Sequence, residues 1–375
     1  MYTQQLQEDF LFMMLYAGVT VMAIIACCYL LFRRGNAFAA DVTPPVCLRR
    51  WTAAFFASMA LSHMWYMPTM FLTSSDDIMM SSFVGGLLDC MTVLPLAIVI
   101  LIAMLQDRRR PLWLVAVMVA PLVVGMAVCI VNRSDVFLPL IYGYFLLLAI
   151  GLIIYMVREV WLYGRWLRDN YADLEHKEVW QNFLALVSIL FMFGIYVFGI
   201  KVPVYEYIVQ VNDVVLICYL LWRVETLSDL STPLSQSLLE EEADTIGAWN
   251  DIEDSCPPQP PHDNIGLLLQ RYCIDAQLHL QHDLTLPQLA KAIGINRSYL
   301  SQYFSSQGMT YNAYINDLRI SYFVGHYREA VAAQRPFTAQ QLACESGYRS
   351  YSTFSLAFKQ RMGESVTAWI RNTVK

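Results

Sequence analysis

Basic residues are missing from stretches where several kinds of protein require them. Residues 1–32 hold no Lys or Arg. Glu8 and Asp9 stand near the start, and the first arginines, Arg33 and Arg34, follow the apolar run. A secretory signal peptide has the reverse order, basic residues first. The first apolar run is therefore expected to stay on the chain uncleaved, although AFA at 37–39 loosely resembles a cleavage site. Residues 224–263 carry ten acids and no base, which keeps this stretch solvated and away from DNA or anionic lipid. The nine cysteines (27, 28, 47, 90, 129, 218, 256, 273 and 344) form no CxxC pair. Most fall inside apolar runs or in segments read below as cytoplasmic, so the thiols are read as reduced and structural, with no zinc or disulfide framework. HExxH, a paired serine and lysine, and a GxGD-type loop are missing too. No catalytic residue, metal site or cofactor is expected, and the chain is not read as an enzyme.

What the chain has in plenty is apolar surface: 57% of its 375 residues are hydrophobic and 15% are charged. Its net charge of −6 averages three unlike parts. Residues 1–223 hold 14 basic and 15 acidic residues, 224–263 are purely acidic, and 264–375 hold 11 basic against six acidic, a net of +5. Apolar runs long enough to span a bilayer fall at about 10–32, 51–72, 83–105, 112–131, 136–156, 181–200 and 203–222. Each approaches the roughly 20 residues that about 30 Å of hydrocarbon requires, and in lipid each must be a helix. His63, Pro121 and Glu206 interrupt the second, fourth and seventh runs. The fold class that follows is all-α: a seven-helix transmembrane bundle over 1–223, then a cytoplasmic helical domain over 264–375.

Orientation follows from Lys and Arg. The first loop has Arg33, Arg34, Arg49 and Arg50, the third Arg108, Arg109 and Arg110, and the fifth Arg158, Arg165, Arg168 and Lys177. The second loop has none, and the fourth and sixth have only Arg133 and Lys201. The positive-inside rule places the N-terminus outside and the C-terminus in the cytoplasm.

Ionisable residues inside spans are costly and point to function. In the last span Glu206, Gln210 and Asp213 lie at i, i+4 and i+7, on one helix face. Asp89 lies in the third span and His63 in the second. One reading makes Asp89, Glu206, Gln210 and Asp213 a pocket sensing an unknown small molecule or protons. The other makes them interhelical hydrogen bonds, with Glu206 near the outer interface.

The segment 224–263, with Ser, acids and PPQPP, reads as an extended tether. A short helix over Leu234–Asp244 is a second option. Beyond it the chain repeats itself. TLPQLAKAIG from Thr285 and TAQQLACESG from Thr338 share T-x-x-Q-L-A-x-x-x-G. Thr is an N-cap, Gln three residues on can close a capping box, and Leu and Ala face a core. Gly294 and Gly347 end each helix with a left-handed turn. A second amphipathic segment follows each time, with Leu300 and Phe304, then Phe354 and Phe358, spaced four apart. Helix, tight turn and second helix, twice over, is the helix-turn-helix pattern. The stretch YNAYINDLRISYFVGHYREAV reads as a connecting helix that would hold the two second helices about 34 Å apart, one DNA turn.

Residues 264–375 resemble the C-terminal DNA-binding domain of the AraC/XylS family of bacterial transcription regulators. The matching positions are Leu289, Ala290, Gly294, Leu300, Phe304, Gly308 and Leu318-Arg319-Ile320 in the first motif. In the second they are Gly347, Tyr348, Phe354, Phe358, Lys359 and Gly363. The family's usual GxTPxxYR ending is GESVTAWI here, with Val366 and Ile370 at the altered places. Gly325 and His326 stand in the usually leucine-rich end of the connecting helix.

With the apolar pairs turned inward, Arg297, Ser298, Ser301 and Gln302 remain for the groove in the first motif. Arg349, Tyr351, Ser352 and Ser355 remain in the second, with Leu356 where the family often has a long polar side chain. Gln can read adenine, Arg guanine, Ser several bases and Leu only a thymine methyl. Lys359, Arg361 and Lys291 suit phosphate, and Arg319 suits either phosphate or an internal pair. The aromatic residues Phe354 and Phe358 are expected in the core. A net of +5 is modest for DNA binding, which points to a homodimer or clustering at the membrane. The resemblance implies RNA polymerase as a further partner. The leading expectation is a membrane-anchored regulator of transcription that binds double-stranded DNA. The alternative is a membrane receptor or transport-like protein whose tail is a protein-interaction module.

Overall fold

The computed structural model describes residues 2–33, 35–39, 42–181, 187–188, 203–230 and 262–373, without the side chains of 2–9, 203–206 and 262–263. The described residues are helical. They contain no strand, only an isolated bridge between Tyr171 and Thr285. Two compact units divide the chain. One is Met1–Tyr163 with Val179–Leu230, and the other is Gly164–Glu178 with Ser231–Lys375.

The first unit is built from α1 (Tyr2–Phe32), α2 (Val46–Tyr66), α3 (Ser75–Met91), α4 (Val93–Ala103), α5 (Trp113–Asn132), the first part of α6 (Leu138–Asn170) and α7 (Pro203–Thr226). Five stretches are long and apolar enough to cross a membrane: Phe10–Phe32, Ser75–Ala103, Trp113–Asn132, Leu138–Asn170 and Tyr207–Thr226. They coincide with the first, third, fourth, fifth and seventh sequence runs. The second run is a helix, α2, but is less apolar than those five. The sixth, at 181–200, lies outside the described residues apart from 181, 187 and 188. Outward-facing positions carry large apolar side chains, among them Phe32, Val131, Leu140 and Leu147. Such a surface is rare on a water-facing domain.

The third run is two helices. Thr92 leaves the helical region at φ −124° and ψ −65°, and α3 stops there while α4 starts. Helix α6 runs on past position 156, the expected end of the fifth span, as far as Asn170. Three arginines of the first and third loops pair with acids remote in the chain. Arg49 pairs with Glu225 at 3.1 Å, and Arg108 and Arg110 reach Glu159 at 2.7 and 2.8 Å. Gln106 donates to the Ser228 carbonyl at 2.9 Å and accepts from the Leu230 N–H at 2.8 Å. The first and third loops and the end of α7 therefore share one end of this unit. Helix α7 runs to Thr226, with Glu225 fully buried, and so enters the stretch read as tether. Residues 231–261, including the optional helix at 234–244, lie outside the described residues.

The second unit contains α8 (His262–Leu269), a π-helical turn at Gln270–Asp275, α9 (Leu286–Ile293), α10 (Arg297–Ser306), α11 (Tyr311–Ala332), α12 (Ala339–Glu345), α13 (Tyr351–Met362) and α14 (Val366–Thr373). Helix α11 is the spine, and Gly325 does not interrupt it. At the usual rise of about 1.5 Å per residue it is roughly 33 Å long. Its first half packs Tyr311 and Ile315 against Leu289, Ala290, Leu300 and Phe304. Its second half packs Ile320, Phe323 and Tyr327 against Leu342, Ala343, Phe354 and Phe358. Val366 and Trp369 belong to that second core, so the altered ending of the chain is a packing variation.

Candidate functional site

The two helix pairs α9–α10 and α12–α13 are closed by the residues the repeat shares. At Thr285 the capping box is complete: the Gln288 N–H donates to Oγ1 at 3.4 Å and the Thr285 N–H donates to Gln288 Oε1 at 2.9 Å. At Thr338 only half forms, because the Gln341 side chain turns to Glu345 at 3.0 Å. Gly294 has φ +73° and Gly347 φ +88°. Asn296 and Ser350 then cap α10 and α13 through the amides of Ser298 and Thr353. Leu300, Phe304, Phe354 and Phe358 are all buried, which fixes the opposite faces outward.

Those outward faces carry the expected residues. Ser298, Gln302, Arg349, Tyr351, Ser352 and Lys359 are exposed, and Arg297, Ser301 and Ser355 are half-buried. Leu356 is 61% exposed on α13, a large apolar side chain among polar ones. Arg361 pairs with Asp317. Arg319 takes the internal of its two options. It is fully buried, its Nε donates to the His279 carbonyl at 2.8 Å and its Nη2 to the Gln281 carbonyl at 2.7 Å. The guanidinium also lies over the Tyr348 ring at 5.4 Å. Burial lowers the pKa of Arg319, with partial relief from Tyr348 and Asp173. This arginine ties the Gly347 turn to the α8–α9 connection and is not available to phosphate.

Sequence reasoning missed the partner of this surface. Residues 164–178, assigned above to the fifth membrane loop, pack onto the helical domain. Tyr171 and Ala172 are buried, and the Ala172 N–H donates to the Leu284 carbonyl at 3.1 Å. Asn312 Nδ2 donates to the Ala172 carbonyl at 2.7 Å, and Arg297 Nη2 donates to Asn170 Oδ1 at 2.7 Å. Thr353 Oγ1, on α13, donates to Glu175 Oε2 at 2.9 Å. Asp283 joins Lys177 at 3.1 Å to Arg349 at 3.0 Å. Burial alone would raise the Asp283 carboxyl, but those two cations outweigh it and hold it below the usual range. Burial pushes the Tyr171 hydroxyl up to about 12. The available signal was the length of that loop, 157–180, which is far more than a turn between spans needs.

The first unit holds a cavity of about 790 Å³. Its walls include Tyr16 of α1, His63 of α2, Asp89 of α3, and Gln210 and Asp213 of α7. The structure thus brings three of the four expected pocket residues together, and the side chain of Glu206 lies outside the described residues. His63 Nδ1 bonds the Met59 carbonyl at 2.9 Å, and Nε2 faces Gln210 Oε1 at 3.0 Å and Asp213 at 3.9 Å. Trp65 Nε1 donates to Asp89 at 3.2 Å. Among the described residues no cluster of three or more His, Cys, Asp or Glu could hold a metal ion, and the eight described cysteines are free.

A helix-turn-helix domain family matches residues 289–372, which take in nearly all of the first helix pair, the spine and the whole second pair. This stretch is an AraC-type helix-turn-helix domain, which points to DNA binding rather than catalysis. Comparison with curated proteins and with solved structures found no match.

Proposed function

We propose that the protein is a membrane-anchored, one-component transcription regulator. It binds specific double-stranded DNA through two helix-turn-helix motifs in residues 264–375, and its apolar helices serve as sensor. The observation that carries this reading is the duplicated geometry of two capped, glycine-turned helix pairs on one spine helix. The spine carries one pair on its first half and the other on its second half, and a DNA turn of about 34–36 Å is the spacing they would have to match. Helices α10 and α13 then enter successive major grooves on one face of the duplex. Arg297, Ser298, Ser301 and Gln302 read one groove, and Arg349, Tyr351, Ser352 and Ser355 the next. Lys359 holds phosphate, and Leu356 restricts its position to a thymine methyl. The five long apolar helices and their exposed apolar side chains support an inner-membrane location, N-terminus out and domain in the cytoplasm. The cavity around Asp89, Gln210 and Asp213 is the sensing site, with Glu206 on the same helix face. Homodimerisation raises an affinity that the modest charge leaves weak, and RNA polymerase is the downstream partner.

Genome-wide binding of the intact protein tests this. Discrete sites are expected, and they should disappear in the Arg297→Ala/Arg349→Ala double variant at unchanged protein level. Absence of any enriched site for the folded, intact protein would replace this reading with a receptor whose tail binds another protein.

A further inference from the structure

We infer that the cavity of the apolar unit binds a lipophilic organic cation, an amine carried on an apolar body, held between Asp89 and Asp213. This rests on reading that unit as the sensor. The two carboxylates are treated unequally. Asp89 accepts from the Trp65 indole at 3.2 Å, with Ser62 and Tyr66 alongside. Asp213 is 6% exposed, lines the cavity and accepts no hydrogen bond among the described residues. His63 Nε2 lies 3.9 Å from it and is already directed at Gln210. An unpartnered buried carboxylate is expensive unless a proton neutralises it or a cation completes it. No Lys or Arg stands among the described lining residues, so apart from a protonated His63 the cation comes from outside. A volume of about 790 Å³ lies in the range of small-molecule sites and far exceeds an ammonium group. The remaining walls are aromatic and thioether groups such as Phe12, Tyr16 and Met59, which suit an alkyl body and the face of a cation. A hard divalent cation such as Ca²⁺ takes about six to eight oxygens, and among the described residues no group of three or more His, Cys, Asp or Glu could hold a metal ion.

Calorimetric titration of the full chain in zwitterionic nanodiscs, with empty nanodiscs subtracted, uses n-octylamine and the neutral n-octanol as probes. Saturable binding of the amine and not the alcohol is expected, weakened at least about tenfold in Asp213→Asn. Equal binding of both probes, no saturable amine binding, or a folded Asp213→Asn chain with unchanged affinity would overturn the proposal. The comparison of probes on the unaltered chain stands even if the variant fails to fold. Amine binding that leaves DNA occupancy unchanged would remove the sensing role and keep the site. Loss of a signal response in Asp213→Asn without amine binding would do the reverse.

A second inference rests on separate observations in the other unit, and on reading α10 and α13 as the helices that meet DNA: residues 164–178 compete with DNA for that surface. One short segment touches both helices, through Asn170 to Arg297 on α10 and Glu175 to Thr353 on α13. The segment carries four acids against Arg165, Arg168 and Lys177, and the carboxylate of Glu175 occupies the N-terminal end of α13, where DNA would place a phosphate. Helix α6 carries an apolar span and ends at Asn170 without a break, so a shift of that helix moves the segment. The test measures the full chain with a mixed-sequence duplex of several helical turns as probe. Glu175→Gln/Asn170→Ala should bind several-fold tighter, since both the carboxylate at α13 and the tie on Arg297 are removed. Unchanged or weaker binding by a normally melting variant would refute it. On the unaltered chain, DNA should speed hydrogen exchange at Ala172, and persistent protection in the complex would refute it equally.

Discussion

Replacing Gly347 by alanine isolates one turn and can be sized from the structure. The residue sits at φ +88°, and an added Cβ would lie 2.8 Å from the Leu280 carbonyl oxygen, 2.9 Å from Leu280 Cα and 3.0 Å from Arg319 Nε. The left-handed conformation costs an alanine about 1–2 kcal/mol. The contact with backbone cannot be relieved by a rotamer. Displacing Arg319 loosens its bonds to the His279 and Gln281 carbonyls, each worth about 1.5–3 kcal/mol for a charged donor. With one of the two bonds lost the total is about 2.5–5 kcal/mol, a large share of a typical domain stability of about 5–15 kcal/mol. Gly294 is the internal control: φ is +73°, but nothing lies within 4 Å of an added Cβ there. Gly294→Ala should therefore cost only the backbone term, about 1–2 kcal/mol. Thermal melting of the helical domain within the full chain measures the difference. At about 4–8 °C per kcal/mol for a domain of roughly 100 residues, Gly347→Ala should melt roughly 10 °C or more below Gly294→Ala. Equal melting temperatures would show that the close approach to Leu280 and Arg319 does not constrain the turn.

Other outcomes follow from the same geometry. Phe354 lies deep in the second core and Leu356 is exposed. By denaturant unfolding Phe354→Ala should cost about 3–5 kcal/mol, whereas Leu356→Ala should cost little. His279 is buried and held neutral by burial, with its Nδ1–H donated to the Cys273 carbonyl at 2.9 Å. Its folded pKa lies below 6.5, so the unfolded chain takes up the proton first and stability falls as pH drops through that value. A pH series of melting curves should lose that slope in His279→Gln. Lys359→Ala should weaken binding to all duplexes alike and lower the salt slope by about 0.9, while Gln302→Ala should relax preference at one base pair. Binding titrations at several salt concentrations separate the two.

Locally encoded features were legible in the sequence. Thr285, Gln288 and Gly294 act on close neighbours in the chain, and the start of α9 and the turn after it stand where the pattern put them. Phe354 and Phe358 were assignable to the core for the same reason: their spacing needs only one helix. Features set by distant partners were not legible. The break at Thr92 is hidden inside one apolar run. Arg319 carried two possible roles until its carbonyl partners at 279 and 281 were placed. The membership of 164–178 in the second unit depends on Asn312, Leu284 and Arg297, all remote in the chain. The half-formed box at Thr338 reflects a competitor, Glu345, that the repeat does not share with its first copy.

The central claim is that α10 and α13 read adjacent major grooves from a protein held in a membrane. Hydroxyl-radical footprinting of the full chain in nanodiscs, on a fragment taken from its genomic binding sites, tests it most directly. The account predicts two protected patches on one face of the duplex, about 10–10.5 bp apart. Arg297→Ala should erase one patch and Arg349→Ala the other. A single patch indifferent to Arg349, or no protection by the folded protein, would contradict it.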